Sequence, residues 1–287
     1  MKEKTIKNYL ISFPLFFLSL IMIMPFLIMV STSLKGIAEI NSGTISLIPK
    51  KWMFSNYAEA MRTGMWLRWI FNSVFVSSTV TAISLLFNSL SGFAIARLDF
   101  RGRKLIFITL LMGLMVPPQI TMVPVFMIMK QFPLFGGNNI LGQGGTGLID
   151  SYLGLMINRL SGSFGIFLCR QYYLNFPSSL DDAAAIDGSS IIRSYFQIYV
   201  PLSGPLFASL GVIKLTNTWN DYIWPLIITN SEKLRTVQLA LAIFKDEFVQ
   251  WDLLMAAATV ITTPLIVLFL FAQRYFIRGL VTSGMKA

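Results

Sequence analysis

Residues 69–96 read WIFNSVFVSSTVTAISLLFNSLSGFAIA, and the chain then turns basic at Arg97-Leu98-Asp99-Phe100-Arg101-Gly102-Arg103-Lys104. An α-helix rises about 1.5 Å per residue, so roughly 20 predominantly apolar residues cross the ~30 Å hydrocarbon layer of a bilayer. This stretch is long enough to cross as one helix. The Lys and Arg residues of the short connection after it belong on the cytoplasmic side.

Working outward, five more stretches have the same character, at about residues 9–31, 105–129, 151–173, 202–228 and 253–276. The expected fold class is all-α, a polytopic membrane protein of about six transmembrane helices forming one transmembrane domain over residues 1–287. Pro117-Pro118 should break or kink the third span, because proline supplies no N–H to the helix ladder. A cleavable leader is the competing reading of the first stretch. Its apolar run of roughly 20 residues exceeds the ~7–15 of a signal h-region, so a retained span is expected.

Composition agrees. Of 287 residues, 55% are hydrophobic and only 13% charged, about half the charge of a typical soluble domain. Mean hydropathy is +0.67. So little polar surface could not cover a globule in water. The net charge of +10 matters through its placement, and no nucleic-acid partner is expected. With the N-terminus inside, the inner segments hold Lys2, Lys4, Lys7, Arg97, Arg101, Arg103, Lys104, Arg170, Arg193, Arg274, Arg278 and Lys286. The outer loops hold fewer, namely Lys35, Lys50, Lys51, Arg62, Arg68, Lys233, Arg235 and Lys245. The bias places both termini in the cytoplasm. The chain has no histidine and one cysteine, Cys169, read as a small apolar helix residue. No His/Cys metal site and no His-assisted nucleophile can be built. No phosphate loop of the form G-x-x-x-x-G-K-[ST] occurs.

The fourth and fifth spans are joined by a long cytoplasmic segment, residues 175–201. Its core is Ser179-Leu180-Asp181-Asp182-Ala183-Ala184-Ala185-Ile186-Asp187-Gly188. Ser179 suits an N-cap, and Asp181 and Asp182 suit the positive end of a helix dipole. The alanines are helix formers without bulk, and Asp187-Gly188 stops the helix. Ile191, Ile192, Tyr195, Phe196 and Tyr199 follow at helical spacing up to Pro201. A short helix with a flat alanine face fits a groove on another protein. An amphipathic linker on the membrane surface fits the pattern equally well.

The segment resembles the E-A-A loop of binding-protein-dependent permeases, in which E-A-A, Gly, Ile and Leu-Pro stand at fixed spacing. Asp182-Ala183-Ala184, Gly188, Ile198 and Val200-Pro201 occupy those positions, with Asp for Glu and Val for Leu. The resemblance covers nearly the whole chain and is closest to the smaller permease subunit of maltose-type carbohydrate importers. It is carried also by Asn72-Ser73, by Gly92 to Arg97, by Phe100-Arg101-Gly102-Arg103, by Trp219 to Leu226 and by Gln273 to Lys286.

The resemblance implies a transmembrane permease of an ATP-binding cassette importer for sugar or oligosaccharide, in the plasma or inner membrane, and not an enzyme. The implied partners are a second permease, two cassette ATPases that bind the ATP and magnesium, an extracellular solute-binding protein, the sugar and the lipid bilayer. This chain itself would bind no cofactor and no metal. Asp182, Ala183, Ala184, Asp187, Gly188, Ile198 and Pro201 would make the ATPase-coupling element. Ser283, Gly284 and Lys286 resemble a tail that reaches between the ATPases.

Lys214, Asn217, Trp219, Asn220 and Asp221 lie within or at the end of the fifth span, as Asn88 and Arg159 do in the second and fourth. Charge in hydrocarbon is costly, so these groups should meet a partner or a watery cavity. Lys214 and Asn217 share a helix face, and a translocation path is one reading. Taken singly, each fits helix–helix hydrogen bonding or interfacial anchoring better. The Gly- and Asn-rich outer loop 135–147 reads as special backbone angles or close contact with a partner, or else as a flexible spacer. The function alternative is an ion-driven secondary carrier. It lacks a carboxylate near the middle of any span. An intramembrane enzyme lacks His, a Cys pair and paired carboxylates.

Overall fold

Three of the six apolar stretches form single long helices and three are broken, in a computed structural model that describes residues 2–43, 46–245 and 249–284. The helices are α1 (Lys2–Ser33), α2 (Ile37–Asn41), α3 (Ser55–Arg62), α4 (Trp66–Arg97) and α5 (Arg103–Met115). Next come α6 (Pro118–Lys130), α7 (Tyr152–Met156), α8 (Ser163–Leu174), α9 (Ser179–Ile186) and α10 (Ile191–Ser194). The last five are α11 (Val200–Leu202), α12 (Gly204–Trp219), α13 (Ile223–Ile228), α14 (Val237–Ala240) and α15 (Trp251–Gly284). Among the described residues there is no strand. Side chains are described from Ser12 to Phe271 and at Gln273.

The third stretch bends by 106° between α5 and α6. The break falls at Pro117-Pro118, as their chemistry requires. Pro117 holds an extended backbone (ψ 132°), the state favoured before a proline. Pro118 takes the first helical position, where a missing N–H is harmless. The fourth stretch bends by 43° between a turn of 3₁₀ helix at Ile157–Arg159 and α8. The fifth departs from the single span expected at 202–228. Its helix bends by 79° before Gly204, ends at Trp219, and resumes only at α13.

The chain divides into two compact units. Met1–Trp66 with Ala240–Pro264 form one, and Leu67–Leu239 with Leu265–Ala287 the other. In the first unit the end of α1 is tied to α3. The buried amide of Asn56 donates to the carbonyls of Ser33 (2.9 Å) and Lys35 (2.8 Å), groups a helix terminus leaves unpaired. Tyr57 and Ser33 share a 2.7 Å hydroxyl bond, and Trp66 stacks on Phe244. From Ser12 to Val30 the side chains of α1 are almost all exposed among the described residues. Phe13, Phe16, Ile21 and Met22 are over 60% exposed, which lipid or a partner helix can satisfy.

In the second unit α4 is the central post. Its N-terminal half packs Val76 and Val80 against Met129, Leu155, Trp224 and Ile228. Its C-terminal half packs Phe93 and Ala96 against Cys169, Tyr173, Tyr195 and Tyr199. Gly92 lets α8 come close, since a Cβ there would lie 2.5 Å from that of Cys169. Near the N-terminus of α4, Asn72 donates to the carbonyls of Lys233 and Arg235, both at 2.8 Å, and accepts from the Tyr152 hydroxyl at 2.6 Å. Ser73 accepts the Val237 N–H at 2.9 Å.

The Gly-rich loop 135–147 is internally bonded. Asn138 donates to the carbonyls of Lys130 (2.8 Å) and Phe132 (3.0 Å) and accepts from the Gly145 N–H (2.8 Å). Gly136, Gly142, Gly144 and Gly147 hold positive φ, so the glycines serve backbone angles. The loop ends at Asp150, whose carboxylate accepts from the backbone N–H groups of Asn230 and Ser231 and from the Ser231 hydroxyl. Burial alone would push that carboxyl up, but these three bonds together hold it below its ordinary value.

Candidate functional site

The C-terminal end of α4 and the segment after α8 build one arrangement. The apolar run of α4 stops at Arg97, whose side chain is only 10% exposed. Its guanidinium spends its donors in four directions. One nitrogen meets Asp181 Oδ2 at 2.8 Å and also donates to the Pro177 carbonyl at 2.9 Å. Another donates to the Phe176 carbonyl at 3.2 Å, and Nε donates to the Tyr199 hydroxyl at 2.8 Å. The Tyr199 hydroxyl in turn donates a hydrogen bond to Asp181 Oδ1. A guanidinium presents five N–H donors in a rigid planar fork, where a lysine ammonium has three on a single atom. The start of α9, the turn before it and the helix after it are thus pinned to one side chain of α4.

α9 is eight residues long and stops sharply. Gly188 holds φ +66°, the Gly188 N–H donates to the Ala185 carbonyl (3.1 Å), and the Ser189 N–H to that of Ala184 (2.9 Å). This is the paired bonding of a Schellman stop. The N-terminus differs from the sequence reading. Ser178, not Ser179, is the cap, and it makes no side-chain cap bond because its backbone is already helical. The serine that caps through its hydroxyl is Ser190, which accepts the Arg193 N–H at the start of α10 (3.3 Å).

The motif residues divide by face. Asp182, Ala183, Asp187 and Gly188 are exposed, with Ile186 beside them 85% exposed. Ala184 is buried and bounds a cavity of about 200 Å³ beneath α9, together with Arg97 and Ser194. Ile198 is half-buried against the Tyr173–Tyr199 core, and Pro201 is exposed in α11. So Ala184 and Ile198 seat the segment, and the others form its outward surface. Exposed Ile191 and Ile192 extend that surface. The sequence reading missed Arg97 and Tyr199 as members of the arrangement. The one signal available was that Arg97 is the first charge after 28 uncharged residues.

The polar residues of the fifth stretch do not share one fate. Trp219 is buried and Lys214 half-buried, while Asn217 and Asn220 are exposed. Asn220 accepts from the Gln238 amide at 3.0 Å. Asp221 pairs with Arg159 at 2.6 Å, which joins the breaks of the fourth and fifth stretches. Asn88 accepts from Ser161 and from the Gly162 N–H, both at 3.0 Å, so it caps the entry to α8. Arg170 lies over the Phe107 ring at 3.8 Å. Ser283 and Gly284 end α15 without described side chains, and Lys286 lies outside the described residues.

Comparison with known proteins places this geometry. The family described as "Binding-protein-dependent transport system inner membrane component" matches residues 88–282. The arabinooligosaccharides transport system permease protein AraQ of Halalkalibacterium halodurans is 32% identical, covering 100% of both chains. The probable starch degradation products transport system permease protein AmyC of Thermoanaerobacterium thermosulfurigenes is 30% identical, again over 100% of both. A solved bacterial ABC transporter involved in the import of the acidic polysaccharide alginate has a chain of the same fold, with a TM-score of 0.79 at 21% identity. The match covers 96% of this chain and 98% of that one.

Proposed function

The chain belongs to the family of binding-protein-dependent transport system inner membrane components, and on that premise we propose that it is the permease subunit of an ATP-driven oligosaccharide importer whose helix α9 receives the stroke of a cytoplasmic ATPase. The full-length relatives that transport arabinooligosaccharides and starch degradation products support the substrate class. The observation that carries the coupling role is the tether of α9, through Asp181 and Tyr199, to Arg97 at the end of α4.

A push on a helix transmits motion only if the helix is short, stopped at both ends and rigidly joined to what must move. α9 has the Gly188 stop, and its tether makes α4 the element moved. Asp182, Ala183, Ile186 and Asp187 are the surface offered to the ATPase. Two such ATPases hydrolyse ATP, a second permease completes the translocation path, and an external solute-binding protein delivers the sugar. Both termini and α9 lie in the cytoplasm, consistent with the basic cluster at Arg101, Arg103 and Lys104.

The test is a cross-link in a Cys169→Ser background. Ala183→Cys, on the outward face, should cross-link to a cysteine in the cleft of the co-expressed ATPase, with a yield that changes on adding ATP. Ala184→Cys, on the buried face, should not. Labelling of Ala183→Cys by an impermeant thiol reagent from outside intact cells would invert the topology and end the proposal.

A further inference from the structure

Broken helices are tolerated at membrane depth only where the freed backbone is buried in protein or borders water. In the second unit three breaks meet. The α5–α6 break supplies Gln119, the break before α8 supplies Asn158 and Arg159, and the α12–α13 break supplies Asp221, all to the lining of one cavity of about 410 Å³. That size lies in the ~300–1,000 Å³ range of small-molecule sites.

We infer that this cavity holds one ring of a neutral oligosaccharide during its passage, making this chain a direct contributor to sugar selection. The inference rests on the permease reading above. Its chemistry comes from the lining. The Arg159 guanidinium meets Asp221 Oδ2 at 2.6 Å, and their side chains are 27% and 14% exposed. The pair sums to no charge, and a guanidinium carries five N–H donors, more than one carboxylate oxygen takes up. The Asp221 carboxylate takes a long 3.4 Å bond from the Trp224 N–H and lies against the Ile223 N–H, and its remaining lone pairs can still accept. A sugar hydroxyl donates and accepts at once, which matches such a pair. The exposed amides of Gln119 and Asn158 offer the same dual capacity at the rim. Met122 and Trp224 supply an apolar wall for the C–H face of a ring, and Trp224 is held in place by its Nε1 bond to the Gly154 carbonyl (3.0 Å). Asp221 already offsets the Arg159 charge, so an anionic ring finds no free counter-charge in the pair. A wholly apolar cargo would leave the ion pair desolvated and unmatched.

The experiment uses the complete importer in proteoliposomes with its binding protein, and a panel of neutral di- and trisaccharides that the unmodified complex accepts. Each sugar is supplied at saturation of the binding protein, so that the ratios of uptake report the membrane step. Gln119→Ala and Asn158→Ala, singly and together, should shift the ratio between two saccharides by roughly 3- to 10-fold per lost hydrogen bond. Uniform damage to the fold lowers every uptake by the same factor and leaves the ratios alone. Unchanged ratios in the double variant, whether total uptake is kept or reduced, would overturn the inference. No ATP-dependent uptake of any sugar by the unmodified complex is a different result, and it would count against the permease reading itself.

Discussion

Replacing Arg97 by alanine should free α9 while leaving the helices of the second unit assembled. The size of the effect follows from what the guanidinium holds. It makes an ion pair with Asp181, a bond to the Tyr199 hydroxyl and bonds to the carbonyls of Phe176 and Pro177. A bond from a charged donor contributes about 1.5–3 kcal/mol when its acceptor is left dry, and less when water can replace it. The Asp181 side chain is 42% exposed, so water recovers much of that carboxylate, and a fully buried pair would be the wrong comparison. The buried Tyr199 hydroxyl loses its Arg97 donor but keeps its own bond to Asp181 Oδ1. A net loss of about 2–4 kcal/mol is expected, which speeds local opening by roughly 30- to 1,000-fold. Asp181→Asn keeps one acceptor oxygen for the guanidinium and turns its NH2 toward the Tyr199 hydroxyl, so it loses the charge and one acceptor and should cost about 1–2 kcal/mol. Arg97→Lys keeps the charge without the fork and should fall between them. Amide hydrogen exchange over residues 179–188, in the complex in nanodiscs, reads the opening directly. Sugar imported per ATP hydrolysed should fall in the same order of variants. A folded Arg97→Ala importer whose 179–188 amides exchange at the unmodified rate would refute the reasoning.

Three further outcomes follow from single positions. Gly188→Ala puts a Cβ in open space but at φ +66°, so it should weaken the α9 stop by about 1–2 kcal/mol through backbone strain alone and raise exchange at Ser189. Gly92→Ala would set a Cβ 2.5 Å from Cys169 Cβ and 2.8 Å from the Arg170 nitrogen, with an overpacking loss of at least about 1–3 kcal/mol and a lower Tm in detergent. Asp150 is ionised more readily in the fold than in the unfolded chain, so its stabilising contribution is present above the unfolded value of ~3.9 and is lost as pH falls through the folded one. Limited proteolysis of the outer loops should therefore accelerate at strongly acidic pH. Asp150→Asn should be weaker by about 1 kcal/mol at neutral pH and should lack that acid dependence.

The sequence alone determined that residues 69–96 cross a membrane, that Pro117-Pro118 break the third stretch and that Asp187-Gly188 end a short helix. These are local properties. An apolar run of fixed length, a missing N–H and a residue free to take positive φ act through their immediate neighbours, so spacing along the chain carries them. The resemblance to permeases was legible for the same reason, since Asp182-Ala183-Ala184, Gly188 and Val200-Pro201 lie within one segment. Only the tertiary structure decided which of these residues face inward. Ala183 and Ala184 are adjacent and chemically identical, and the packing beneath α9 buries one and exposes the other. It also decided the partners of charges far apart in the chain. Arg97 meets Asp181 and Tyr199, and Arg159 meets Asp221, across separations of 62 residues or more that no helical or strand period encodes. Long side chains reach several neighbours, and only the packed positions of α4, α8 and α12 select which acceptor lies within 3 Å.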